Sequence, residues 1–372
     1  MSGYFLYHSI GTFPGKAEKV KTALERYSDI WSAENDAQWP EMLAQRGHFI
    51  QSWERLIGAP AGTMTTAENV TLALYSFIGA LPEELLRGRR ILAAGDCFPS
   101  LHFLLAGLQA RLGFTLQTVP MRQGERFVRD EDFIDAWGSD VAIALTTWVS
   151  STTSKRVDLD LISRQGRQHG TIIIADVTQG VGIRPFSVGE LDVVVGSSLK
   201  WLCGSSGAGA IYVRPQLLTT CKPELRGWFS QPNPFSWDLD CFAYADDARR
   251  FDHGTPAVLA AIASQAGLDF VSTTGVDSLA KHNENLTGTI VERVIANSAL
   301  TLISPKESQE RGGSVMAQAD TAERAAAIMT GLKAEEFYCD CRGRILRFSP
   351  GSVTSEGETQ ALCDALDRLA VG

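Results

Sequence analysis

Two kinds of apolar pattern alternate along the first two thirds of the chain. Apolar positions at helical spacing over 16–58 predict two helices. The run TAENVTLALYSFIGAL (66–81) predicts another, with Thr66 as its cap, Asn69 in its first turn and Pro82 as its stop. Short, almost wholly apolar runs then take turns with amphipathic ones. Strands are predicted at 89–95, 115–120, 140–147, 171–177, 191–198 and 207–214, and helices at 99–114 and 160–170. Strands apolar on both faces belong in a parallel or mixed sheet buried between helical layers. The expected class is therefore α/β, with a mainly parallel mixed sheet between helices.

From about residue 257 the pattern changes. A long helical stretch, 257–297, leads to a strand–helix–strand tail ending in RILRFSP (344–350), which reads as a smaller α+β domain. At 372 residues the chain exceeds one ordinary core. The expected division is 1–256 for an N-terminal segment and large domain, and 257–372 for a linking helix and small domain.

Composition narrows the function classes. Hydrophobic residues make up 44% and charged residues 21%, ordinary for a globular chain. The net charge of −9 weighs against a nucleic-acid partner, which would call for clustered basic residues. No apolar run has the length to span a bilayer, and the opening MSGYF lacks the regions of a secretory signal. Seven scattered cysteines, an odd number, suit reduced thiols in the cytoplasm. Cys339-Asp340-Cys341 has no second Cys/His pair to complete a zinc site, so no metal is expected.

In such sheets ligands sit at the carboxyl ends of the strands. That rule selects Cys97–Ser100, Ser150–Thr153, Asp176–Gln179 and Ser197–Lys200. Asp176 and Lys200 should emerge at the same edge, either as a structural ion pair or as a working one. A buried ammonium is costly to desolvate, so Lys200 calls for a reason.

DVTQGVG (176–182) followed by SSLK (197–200) resembles the cofactor motif of fold type I pyridoxal phosphate enzymes, most of all the class V aminotransferase and kynureninase branch. Four further segments resemble that branch in the same order: HSIGTFPG (8–15), CFPS (97–100), RRFDHGTPAV (249–258) and ILRFSPG (345–351). LRGWFSQP, with Trp228, resembles the kynureninase Gly-Trp segment. The resemblance runs over nearly the whole chain.

It implies pyridoxal 5'-phosphate as cofactor and a role for each matching residue. Lys200 would form a Schiff base with the cofactor aldehyde, its pKa lowered by burial beside a cationic imine. Asp176 would pair with the protonated pyridine nitrogen, making the ring an electron sink. Gln179 and Ser151 would hydrogen-bond the ring's phenolate oxygen, and Phe98 would lie on the ring face. The phosphate would sit at the N-terminus of the helix starting near Ala67, on the backbone amides of Glu68 and Asn69 and the Asn69 side chain. Ser197 and Thr255 would add hydroxyls, Thr255 from the other subunit of a homodimer. Arg347 would grip the substrate α-carboxylate as a fork. His8, Trp228 and His253 would line the pocket.

The implied activity is that of an enzyme on an L-amino acid with a functionalised side chain, Lys200 acting as base at Cα. A lyase or hydrolase outcome is expected, by C–S β-elimination or kynureninase-type C–C cleavage, with transamination as the alternative. Gln179, Leu199 and Leu101 stand where kynureninases carry His, Tyr and Asp, and Phe98 and Leu199 where class V aminotransferases carry His. Two other classes compete. A non-catalytic binding protein of this fold sits poorly with the retained Lys200, Asp176 and Arg347. An NAD-linked enzyme would need a Gly-x-Gly-x-x-Gly after an early strand, which is missing.

Overall fold

A computed structural model describes residues 3–371. The chain opens with a two-residue strand, β1 (Gly3–Tyr4), and two helices, α1 (Lys16–Trp31) and α2 (Gln38–Ile57). Strand β2 (Met64–Ala67) and helix α3 (Val70–Ile78) follow. The run 66–81 is therefore not helical from its start. Thr66 lies in β2 opposite Ala210, and its hydroxyl accepts from Arg46 Nε at 2.9 Å. Pairing with a neighbouring strand outweighs its capping preference, and Asn69 becomes the cap, its Oδ1 accepting from Leu72 N–H.

The short helix α4 (Glu83–Leu86) precedes β3 (Arg90–Ala94), α5 (Pro99–Leu112) and β4 (Thr115–Val119). Next come α6 (Asp130–Asp135), β5 (Val141–Thr147), α7 (Leu159–His169), β6 (Ile172–Asp176), β7 (Val193–Ser197) and β8 (Gly209–Val213). These strands form one seven-stranded sheet in the order β2-β8-β7-β6-β5-β3-β4. Only β8 runs against the rest. The link from β7 to β8 carries no helix, and an antiparallel return needs no crossover.

Successive residues of the central strands serve opposite faces. Ile91, Ile143, Ile174, Val195 and Ile211 join one apolar cluster, with residues of α3 and α5. Leu92, Ala144, Ala175, Val194 and Ala210 join the other, with residues of α2, α7 and α9 (Val258–Thr274). Both faces are thus covered, which is why the strands read as unbroken apolar runs.

The helix α8 (Pro215–Leu218) leads into a mostly irregular stretch before α9 and α10 (Val276–Ala296). The helical stretch at 257–297 is two helices, broken at Gly275. Strands β9 (Leu300–Leu302) and β10 (Val315–Ala319) come next, then α11 (Ala322–Ala334) and β11 (Phe337–Tyr338). The chain continues through β12 (Asp340–Arg342), β13 (Ile345–Phe348) and α12 (Glu356–Val371). A four-stranded sheet, β12-β13-β10-β9, packs its own core with α10, α11 and α12. The chain start belongs with this sheet: β1 pairs parallel with β11, and Phe5 is buried in the same core.

Candidate active site

The register of the large sheet brings the chemical residues to one edge. Asp176 ends β6 beside Thr147 of β5 and Val195 of β7, and Ser197 faces Gly209, which faces Ala67. The turns leaving this edge carry Glu68 and Asn69, Phe98, Ser151, Asp176–Gln179 and Lys200. Short hydrogen bonds fix the Lys200 turn. Gly204 N–H donates to Ser198 O at 2.7 Å and Cys203 N–H to Lys200 O at 2.8 Å. Trp53 Nε1 of α2 donates to Ser198 Oγ at 3.0 Å. The N-terminal segment lies against this turn, with Gly11 N–H donating to Leu199 O at 2.9 Å. A Cβ at Gly11 would run into the Lys200 carbonyl oxygen, so the backbones approach this closely only with glycine there.

Among the described residues, Lys200 Nζ has no hydrogen bond and no ion pair. It lies over the Phe98 ring, 5.6 Å from the centroid. Burial pulls the Lys200 pKa down to about 8; Asp176 opposes the shift and Arg347 adds to it. Asp176 is buried, and burial pushes its carboxyl above the usual range despite the Thr178 hydrogen bonds and the Lys200 charge. Its Oδ1 accepts from Thr178 N–H at 3.0 Å and Thr178 O–H at 2.5 Å. Among the described residues no hydrogen bond reaches Oδ2. One free carboxylate oxygen and one unpartnered amine at the same edge of the sheet fit a cofactor that brings a cationic N–H and an aldehyde. Phe98, 40% exposed at the start of α5, leaves a ring face free to cover it.

Arg347 of β13 faces this cluster from the small sheet. Its Nε and Nη2 donate to Asp340 Oδ1 and Oδ2 at 2.7 and 2.5 Å, and Nη1 to Ser151 O at 3.3 Å. His8 is buried between the two sheets. Its Nε2 lies 3.1 Å from Asp340 Oδ1 and its Nδ1 2.6 Å from Ser349 Oγ, which is 2.6 Å from Ser314 Oγ. Gln179 Nε2 donates to His8 O at 3.0 Å. Burial lowers the His8 pKa, outweighing the Asp340 hydrogen bond. Burial works to raise Asp340, but the hydrogen bonds from His8 and Arg347 prevail and hold it well below the usual carboxylate range.

The other candidates lie further along the edge or away from it. Asn69 Oδ1 caps α3. The Glu68 side chain turns to His253, with 3.6 Å between Oε2 and Nε2; the pairing lowers Glu68 and raises His253. Glu68 and His253 line one small cavity with Arg46 and Asp252. Thr255 is exposed in the loop before α9. Trp228 packs edge-on against Trp39 and Phe229, at 6.2 and 4.6 Å between centroids. The sequence reading missed Asp340, Ser349 and Thr178. Asp340 carried a signal: Arg342 pairs with Ile345 around the two-residue loop Gly343-Arg344, with Gly343 at φ 57°. Counting back from such a hairpin loop puts Asp340 directly opposite Arg347.

The family model for Aminotransferase class-V matches residues 53–336. A kynureninase of Deinococcus radiodurans is 29% identical over 294 residues, covering 72% of this chain and 70% of its own. The uncharacterized aminotransferase YcbU of Bacillus subtilis is 25% identical over 359 residues, covering 95% of this chain and 90% of its own. Among solved structures, the cystine C-S lyase C-DES superposes with a TM-score of 0.87 at 18% identity, covering 99% of this chain and 97% of its own. The apo cysteine desulfurase of Thermococcus onnurineus NA1 gives 0.86 at 17%, covering 100% and 95%. These structural likenesses carry the fold, that of fold type I pyridoxal phosphate enzymes. The chain belongs to the class-V aminotransferase family, whose cofactor is pyridoxal phosphate.

Proposed function

We propose that this member of the class-V family acts on an L-amino acid as a lyase or hydrolase, by C–S β-elimination or kynureninase-type C–C cleavage. The observation that carries the reading is the unpartnered Lys200 amine at the same sheet edge as the free Oδ2 of buried Asp176, faced by Arg347. When bound, pyridoxal phosphate supplies an aldehyde that condenses with an amine and a ring that accepts the electron pair left at Cα. The remaining tasks fall to side chains. Asp176 holds a proton on the ring nitrogen through Oδ2. Lys200, with its pKa near 8, offers far more free amine at neutral pH than an ordinary lysine, so it holds the cofactor and later moves the Cα proton.

Arg347 binds the α-carboxylate. Phe98 would cover the ring, and the second N–H of Gln179 and the Ser151 hydroxyl would bind its oxygen. The Glu68 and Asn69 amides, Ser197 and Thr255 would hold the phosphate. His8 and Trp228 bound the substrate space. The exposed position of Thr255 and the apolar loop carrying Phe235, Trp237 and Leu239, the last 96% exposed, support a homodimer. Seven free cysteines support a reducing, cytoplasmic setting. Among the described residues no helix is long and apolar enough to cross a membrane.

The kynureninase relatives favour bond cleavage on the substrate side chain; the match to YcbU keeps transamination as the second reading. A single turnover of holo-protein with L-kynurenine, cysteine conjugates and common amino acids, followed by mass spectrometry, separates them. Release of pyruvate, alanine or a thiol with the cofactor returned as aldehyde upholds the proposal. Pyridoxamine phosphate with a keto acid assigns an aminotransferase instead.

A further inference from the structure

We infer that Asp340 is a positioning residue that gives Arg347 its preference for a substrate carboxylate; the inference rests on the reading of Arg347 given above. A guanidinium has five N–H groups on a long, flexible arm. Leu346 and Phe348 on either side are fully buried in the small core, so the backbone of β13 is held while the Arg347 arm extends from its other face. Asp340, directly across the hairpin, takes one N–H on Nε and one on Nη2. Ser151 O takes one on Nη1 by the longest of the three bonds, 3.3 Å. Two N–H groups remain, one on each terminal nitrogen, and a carboxylate takes two parallel N–H bonds. Asp340 therefore occupies the side-on edge of the fork without filling it.

Asp340 is itself fixed. His8 Nε2 faces its carboxylate and so must be the donor there. With His8 neutral, Nδ1 accepts the Ser349 hydroxyl proton, and the Ser314 hydroxyl donates in turn to Ser349 Oγ. The chain of donors runs one way and ends on Asp340, fixing the plane of the guanidinium before substrate arrives. Pre-set orientation of this kind raises selectivity because the arm is ordered in advance.

The test uses the holo-protein and two probes, L-alanine and L-alaninamide, which differ in the charged carboxylate. The shift of the cofactor's visible band gives an apparent dissociation constant for each, and the ratio of the two reports carboxylate preference free of general damage. Asp340→Asn is expected to lower that ratio about tenfold, the size of one charge-assisted hydrogen bond. Asp340→Glu, which restores the charge, is expected to recover most of it and serves as the reporter should the first variant fold poorly. Arg347→Ala should abolish the preference. A ratio unchanged or raised in Asp340→Asn, with Arg347→Ala abolishing it, overturns the role of Asp340. A ratio unaffected in Arg347→Ala overturns the reading of Arg347 itself.

Discussion

Around Lys200 the polar groups are short of partners, whereas around Arg347 they are tied into one hydrogen-bonded network. Among the described residues Lys200 Nζ makes no hydrogen bond or ion pair, and Asp176 keeps one oxygen without a donor. Across the cleft, Asp340, Arg347, His8, Ser349 and Ser314 form an unbroken network. Buried polar groups without partners are costly. Such a cost persists where a ligand will supply the missing partners. A satisfied network does the opposite work, holding one geometry whether or not anything is bound. On the proposed reading, the first half would receive the cofactor and the second would present a fixed surface to the substrate.

The difference can be broken from either side. Lys200→Ala removes the receiving amine. The borohydride-fixed cofactor adduct should vanish from the mass spectrum and turnover should fall by about 10³-fold; an adduct surviving on another lysine would sink the assignment. Asp176→Asn keeps the shape but not the charge. Cofactor should still attach, while kcat falls about tenfold to a hundredfold, the worth of a hydrogen bond to a charged group. An unchanged kcat would place the ring nitrogen elsewhere.

The same half should respond to pH. Only the free amine reacts, so cofactor capture by apo-protein should slow about tenfold per pH unit below the Lys200 pKa, which lies near 8. The sign for stability follows. Between about 8 and 10.5 the unfolded Lys200 holds a proton that the folded one has lost, so apo-protein gains stability with rising pH there. Comparing unfolding curves of the native chain and Lys200→Ala isolates this contribution; equal slopes would count against a depressed pKa.

The network half should fail differently. His8→Leu leaves Asp340 and Ser349 each short of a partner. About 1–3 kcal/mol of stability should be lost in denaturant unfolding, with the spectrum of bound cofactor unchanged. A shifted spectrum would mean the two halves are not separable in this way.

Much of the candidate edge was legible because its placement depends on local pattern. Apolar runs marked β3 to β8, and the rule that ligands gather at strand ends picked Phe98, Ser151, Asp176 and Lys200. Elsewhere local preference misled. Thr66 is a good cap by type, yet β8 claims its segment as a strand, and Asn69 caps in its place. Asp340 stood in view between two cysteines but had no meaning until the hairpin set it against Arg347.

The sequence alone determined the alternation of strand and helix and the buried mixed sheet, and it singled out Lys200, Asp176 and Arg347 as candidates, because hydrophobic period and short motifs are local properties. Only the tertiary structure decided that β1 joins the C-terminal sheet, that His8 reaches Asp340 and Ser349, and that Arg347 meets Ser151. Those contacts join residues far apart in the chain. Their formation depends on how two separately packed cores bring their surfaces together, which no local pattern encodes.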